Sequence, residues 1–266
     1  MFGYKLGIIG AGNMSGAITS GIVRGKVLNP SDILVSDLND TKLAALKEQG
    51  FGVTKDNKFL AAAAENILFA VKPQAFAEVA EEIKSVLKAQ AVISIMAGIG
   101  TAKLAEYFGD KVKICRIMPN TPCMIGQGFC ALTFIGYREE EKAFVYDIFD
   151  KLGETAELTE DKFDAVTAVS GSGPAYVYTF LDAIISGGTL KGLTLDESKR
   201  LAVSVFKGAA ELAARSEKPL WELTQNVTSK GGTTEAALKV FESNDLKRII
   251  RDGVVAAAER SEELGK

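Results

Sequence analysis

The architecture this sequence predicts is α/β: a parallel-sheet domain over residues 1–160, followed by an all-helical domain over 161–266. Three observations carry it. Short apolar runs alternate with helix-periodic segments up to Glu160, only helical periodicity remains after it, and the first apolar run ends in a glycine turn that opens a helix.

The glycine turn lies in Lys5–Gly16, KLGIIGAGNMSG. Leu6 to Ile9 read as a buried strand, and Gly10, Gly12 and the small Ser15 follow, the order of a Rossmann-like dinucleotide-binding fingerprint with Ser in the third position. Gly10 allows the tight turn, Gly12 lets the backbone approach a pyrophosphate, and Ser15 sits where strand meets helix. The anion would rest on the helix N-terminus, whose free N–H groups and dipole favour negative charge. A glycine turn with no ligand is the plain alternative. Met14, Ala17, Ile18 and Ile22 recur at helical spacing to about Arg24, and Gly25 stops the helix.

The next strand, Ile33 to Ser36, ends in Asp37, 25 positions after Gly12. Asp37 either accepts from an adenosine ribose hydroxyl or helps Asn39 and Asp40 to cap the helix Thr41–Gln49. Asn57 opens a short helix. Asn66–Val71 reads as a strand leading into Lys72, Pro73 and Gln74, with Pro73 in the first turn of a helix running to about Leu87. Lys72 is either a general acid or a residue whose backbone lines a cofactor ribose. Strands Ala91–Met96 and Val112–Met118 end in Ala97-Gly98 and in Pro119-Asn120-Thr121-Pro122. Successive βα units imply a parallel sheet with ligands at its carboxyl edge, where AGNMSG, AVKPQ, MAG and MPNTP all fall. Gly128–Ile135, a helix Glu139–Leu152 and a strand Glu154–Leu158 extend the sheet.

Composition excludes several function classes. With 47% apolar residues, 24% charged residues and a net charge of -3, nothing points to nucleic acid or an acidic membrane surface as partner. No apolar run reaches the ~18 residues of a membrane span. The chain enters its first strand at once, which leaves no room for a signal peptide. Three cysteines and no histidine make a zinc site improbable and fit a reduced, cytoplasmic setting. The lack of histidine also rules out Ser-His-Asp and Cys-His nucleophilic schemes.

In the second half, Phe163, Val166 and Val169 share a face, and a helix from Pro174 stops at Gly187-Gly188. Thr194 with Glu197 forms a capping box, ahead of a Leu201, Val205, Ala209, Leu212 stripe. The last helix runs from about Asp245 to Leu264. These helices need something larger than one another to bury against, which points to a homodimer. Between them lies NVTSKGGTTEA, Asn226 to Ala236. Thr228, Ser229, Thr233 and Thr234 supply hydroxyls, and Gly231 and Gly232 offer bare N–H groups ahead of a helix, a nest suited to a small carboxylate. An ordinary cap would need only one of those hydroxyls. Ser170-Gly171-Ser172-Gly173-Pro174 serves either a ligand or close helix packing.

Taken together, the fingerprint, AVKPQ, MPNTP, SGSGPAY and VTSKGGTT make the chain resemble the pyrroline-5-carboxylate reductase family over essentially its whole length. The resemblance implies a Rossmann-like domain and a helical domain that interlocks with its twofold mate, in some members up to decamers. It implies reduction of pyrroline-5-carboxylate to L-proline with NADPH or NADH. The implied cofactor residues are Gly10, Gly12, Asn13, Met14, Ser36, Asp37, Asn57, Ala70, Val71, Lys72, Pro73, Ala97 and Asn120. The implied substrate carboxylate site is Ser229, Gly231, Gly232 and Thr233, with Thr234 near the imine nitrogen as catalytic residue. Asp37 argues against strict NADPH use, because its charge would repel a 2′-phosphate. Two rival readings are a hydroxyacid dehydrogenase or imine reductase with Lys72 or Lys230 as proton donor, and a noncatalytic nucleotide-binding scaffold.

Overall fold

The computed structural model describes residues 2–109 and 112–265. Eight strands form one sheet: β1 Tyr4–Ile9, β2 Ile33–Ser36, β3 Gly52–Thr54, β4 Ala64–Phe69, β5 Ala91–Ser94, β6 Lys113–Pro119, β7 Gly128–Ile135 and β8 Gly153–Glu157. Their spatial order is β3-β2-β1-β4-β5-β6-β7-β8. The helices of this part are α1 Asn13–Arg24, α2 Asp40–Glu48, α3 Asn57–Ala63, α4 Phe76–Ile83, α5 Thr101–Phe108, α6 Glu139–Phe149 and α7 Phe163–Val166. The remaining helices are α8 Gly173–Leu190, α9 Leu195–Arg215, α10 Leu220–Asn226, α11 Thr233–Ser243 and α12 Leu246–Leu264.

The first six strands are parallel, and the central ones are largely apolar because helices bury the sheet on both faces. Period-two alternation divides their side chains between two cores. Leu6, Ile8, Ile33, Val35 and Ile93 face one side with Ile18 and Ile22 of α1. Ile9, Leu34, Phe69 and Val92 face the other with Leu60, Phe76 and Leu104 of α3, α4 and α5.

Several elements differ from the sequence expectation. β7 pairs antiparallel with β6, because the connection from Pro119 to Gly128 holds a single 3-10 turn, Thr121–Ile125, too short for a crossover of about a dozen residues. The three-residue strand β3 carries no periodic signal at all. Pro73 does open a first turn, but that turn is 3-10 (Pro73–Ala75), and α4 ends at Ile83 rather than near Leu87. Nor does α8 stop at Gly187-Gly188. It runs to Leu190, and Gly188 is instead a point of close approach, where a Cβ would lie 2.6 Å from Ser198 Oγ of α9.

The chain divides into two compact units, Met1–Ser172 with Ala257–Lys266, and Gly173–Ala256. The sequence places this division at 160/161. Residues 160–172 stay with the sheet for identifiable reasons. Buried Arg116 of β6 pairs with Glu160 (Nη1 to Oε1, 2.6 Å) and stacks 4.6 Å from the Phe163 ring. Thr101 N–H donates to the same Glu160 oxygen, and Asn120 reaches Ser170 through a π-helical turn, Thr167–Gly171. The end of α12 returns to this unit, where Ser261 Oγ donates to Asp164 Oδ1 at 2.6 Å.

The second unit has almost no interior of its own. Ser198 and Ala202 are its buried residues, while Leu201, Val205, Leu212 and Trp221 are each more than half exposed. The apolar stripe expected on α9 therefore exists but lies bare, the mark of a face that another chain covers. Among the described residues, no helix is long and apolar enough to cross a membrane.

At Gly188 the structure makes a stability prediction. Gly188→Leu is expected to cost about 1–3 kcal/mol by wedging α8 from α9, read as a lowered urea midpoint with Gly188→Ala in between; unchanged midpoints would show that the two helices have room there.

Candidate active site

Chain order reverses between β1 and β4, which places a crevice at the carboxyl edge of the sheet beside the glycine turn. The strand registers bring Ile9 level with Ser36 and Phe69, and Phe69 level with Ser94. Gly10, Asp37, Ala70 and Ala97 therefore emerge along one edge, with Asn120 following β6.

Gly10 has φ +104°, and a Cβ there would lie 2.8 Å from the Ala70 carbonyl oxygen, so no other residue fits without strain. Its N–H donates to Ser36 O (2.7 Å), and Ala70 N–H donates to Ile9 O (2.9 Å), which ties three strand ends together. Gly12 sits at the N-cap of α1. No side chain caps the first N–H groups of α1, and a Cβ on Gly12 would meet nothing within 4 Å. An uncapped helix N-terminus behind an open space suits the pyrophosphate of a dinucleotide. Ser15 is buried, as a close-packing position requires, while Asn13 is exposed and Met14 half-buried.

At the end of β2 the two readings of Asp37 separate. Asn39, not Asp37, caps α2, its side chain accepting from Lys42 N–H at 3.1 Å. The Asp37 carboxylate bridges the glycine turn and the start of α2: Oδ2 accepts from Ala11 N–H (2.7 Å) and Oδ1 from the N–H of the N-cap residue Asn39 (2.9 Å). Beside it, buried Ser36 donates to Asn57 Oδ1 (2.7 Å), and Asn57 Nδ2 donates to Glu82 Oε2 of α4 (2.8 Å). The structure thus brings Ser36, Asp37 and Asn57 together and adds Glu82, which carries no sequence motif.

Ala70 and Val71 continue the β4 edge past its last ladder residue, and Lys72 caps the turn that Pro73 opens with its side chain exposed. Asn120 is heavily engaged. Its Oδ1 accepts from Phe129 N–H (3.0 Å) and its Nδ2 donates to Ser170 Oγ (3.1 Å), so it locks the MPNTP turn to β7 and to the SGSGP segment. Cys123 Sγ lies 3.8 Å from the same Oδ1 and 3.6 Å from Cys130 Sγ. The hydrogen bond from Cys130 lowers the Cys123 thiol pKa against the opposing effect of burial.

The second cluster belongs to the helical unit and is built around Gly232, the N-cap of α11. The bare glycine N–H groups expected there are both in use: Gly231, at φ +74°, donates to Glu235 Oε2 (2.6 Å), and Gly232 donates to Ser229 O (3.0 Å). Glu235, itself paired with Lys239 at 3.2 Å, thus closes the turn from within. No hydroxyl caps α11. Thr228 turns its hydroxyl back to Thr224 O (2.7 Å), which removes it from the cluster. Ser229 and Thr233 are exposed and Thr234 half-buried at the start of α11, with the exposed Lys230 and the Glu235 carboxylate in the same turn.

The chain is similar to known proteins along its whole length. A family model described as pyrroline-5-carboxylate reductase dimerisation matches residues 160–264, the part whose apolar faces lie bare. One described as NADP oxidoreductase, coenzyme F420-dependent, matches residues 5–98. A pyrroline-5-carboxylate reductase of Pisum sativum is 37% identical over 98% of this chain and 96% of its own. Among solved structures, the Plasmodium falciparum pyrroline carboxylate reductase with NADP bound superposes with a TM-score of 0.91 at 33% identity, covering 100% of both chains. The Coxiella burnetii pyrroline-5-carboxylate reductase does so with a TM-score of 0.89 at 33% identity, covering 99% of each. Full-length identity at this level, joined to the glycine-turn crevice and the helical unit, places the chain in the pyrroline-5-carboxylate reductase family, an oxidoreductase by descent.

Proposed function

We propose that the chain reduces 1-pyrroline-5-carboxylate to L-proline with NADPH or NADH, the last step of proline biosynthesis, in the cytoplasm. The working particle is a homodimer built on the helical unit, with further association up to a decamer. The observation that carries this reading is the presence in one chain of two helix N-termini that follow a glycine and have no side-chain cap: α1 behind Gly12 and α11 behind Gly232. One suits a pyrophosphate and the other a small carboxylate.

In this reading Gly10, Gly12, Asn13 and Met14 hold the pyrophosphate. Ser36, Asp37 and Asn57 take the adenosine end, and Ala70, Val71, Lys72, Pro73, Ala97 and Asn120 line the remainder of the crevice. Ser229 and Thr233 hold the substrate carboxylate through hydroxyl and N–H groups. Gly231 and Gly232 contribute through the shape of the turn, since their N–H groups are already bonded. The Thr234 hydroxyl accepts from the iminium N–H and fixes the ring face. The bound dihydronicotinamide supplies the hydride that adds to the imine carbon.

A cyclic imine is basic enough to arrive protonated. The protein therefore has no strong acid to provide, in keeping with a chain that lacks histidine. What remains for the residues is positioning and exclusion of water.

Thr234→Ala is expected to lower kcat about 10- to 100-fold, the worth of one hydrogen bond to a charged group, while the NADH dissociation constant stays put; an unchanged kcat would take Thr234 off the catalytic list. For Gly232→Val, whose new carbons would meet Ser229 O at 3.0 Å, KM for the imine should rise with little change in nucleotide binding, and equal losses in both would mean global damage instead. Gly10→Ala is expected to weaken nucleotide binding by at least about tenfold through strain of about 1–3 kcal/mol at a positive φ, as titrated by nicotinamide fluorescence.

A further inference from the structure

Resting on the reductase reading above, we infer that this chain selects NADH over NADPH, and that Asp37, held in place by the glycine turn, is the selecting residue. The two nucleotides differ only at the adenosine ribose, which carries a free 2′-hydroxyl in one and a 2′-phosphate in the other. An acidic residue at the end of the second strand of such a sheet accepts from the 2′-hydroxyl, whereas a phosphate there needs cations and hydrogen-bond donors.

Three observations favour the hydroxyl. First, the Asp37 carboxylate cannot swing aside, because each of its oxygens accepts from a backbone N–H, Ala11 at 2.7 Å and Asn39 at 2.9 Å. Its charge is therefore a fixed feature of the pocket. Second, the Ser36 hydroxyl and one Asn57 amide N–H are already in use. The Ser36 hydroxyl donates to Asn57 Oδ1, and Asn57 passes one of its amide N–H groups to Glu82 Oε2, so the chain of hydrogen bonds ends on a second carboxylate.

Third, two nearby lysines already face carboxylates. Lys55 pairs with Asp40 at 2.7 Å and Lys42 lies 4.0 Å from Asp37. Asp37, Asp40 and Glu82 outnumber these two lysines, and no arginine lies between Val35 and Thr41. A phosphate entering here would meet fixed negative charge with no uncommitted guanidinium to answer it.

The test is direct binding of NADH and NADPH, followed by nicotinamide fluorescence, to the native chain and to Asp37→Asn, with pyrroline-5-carboxylate turnover measured in parallel. Asn keeps one acceptor oxygen for the Ala11 N–H, removes the charge and gives up the bond from the Asn39 N–H. The native chain should bind NADH at least about tenfold more tightly than NADPH, the scale of one like-charge contact. Asp37→Asn should close or reverse that gap, mainly by tightening NADPH. Equal or tighter NADPH binding by the native chain would overturn the inference. So would an Asp37→Asn variant that weakens both nucleotides by the same factor, since that describes a structural role alone. NADH-selective binding in a chain that turns over no pyrroline-5-carboxylate would uphold the selectivity and sink the catalytic reading.

Discussion

The Gly10–Ala70 crossing, a place where two backbones meet with no room for a β-carbon, is the constraint on which the nucleotide-binding half depends. With 2.8 Å between a would-be Cβ and the Ala70 carbonyl oxygen, the chain leaving β1 passes directly over the end of β4. That passage lets Gly10 N–H reach Ser36 O and lets Ala11 N–H reach the Asp37 carboxylate. Three strand ends are thereby joined by backbone groups alone, and the α1 N-terminus is aimed at the crevice where strand order reverses. The pocket's geometry is set by main-chain hydrogen bonds whose lengths side-chain motion does not alter.

The helical half obeys the opposite logic. Its longest helix, α9, is capped at Thr194, whose hydroxyl accepts from Glu197 N–H while the Glu197 carboxylate accepts from Thr194 N–H. Yet the apolar residues of this half have nowhere to go within one chain. A unit in which Leu201, Val205 and Leu212 lie open to solvent forgoes the burial that stabilises a domain of its size. Association recovers that burial, so assembly and stability are one property here.

The α1 N-terminus offers backbone dipoles alone, whereas the Gly231-Gly232 turn carries Lys230 and the Glu235 carboxylate beside its backbone. Elsewhere fixed charge serves for anchoring. Asp37 binds the glycine turn and Glu82 binds Asn57, and Arg116 with Glu160 fastens residues 160–172 to the sheet.

Much of the fold was legible from pattern, because strands buried on both faces must be continuous apolar runs and an uncapped glycine turn before a helix has few other uses. Helix α1 and strand β2 have the bounds their periodicity predicts, and the candidate residues at the crevice lie at the strand ends where their motifs placed them. What stayed hidden depends on contacts distant in sequence. The antiparallel turn of β7, the short strand β3, the use of Gly188 as a packing notch, and the partners Glu82 and Ser170 are all decided by what another segment brings alongside. By itself the sequence determined which residues must be buried, which turns need glycine and which helix ends lie open to anions, since these follow from local sterics and hydrophobic period. Only the tertiary structure decided where Asp37 points and which N–H groups of the Gly231-Gly232 turn are already taken, because a hydrogen bond belongs to whichever acceptor the fold carries to it.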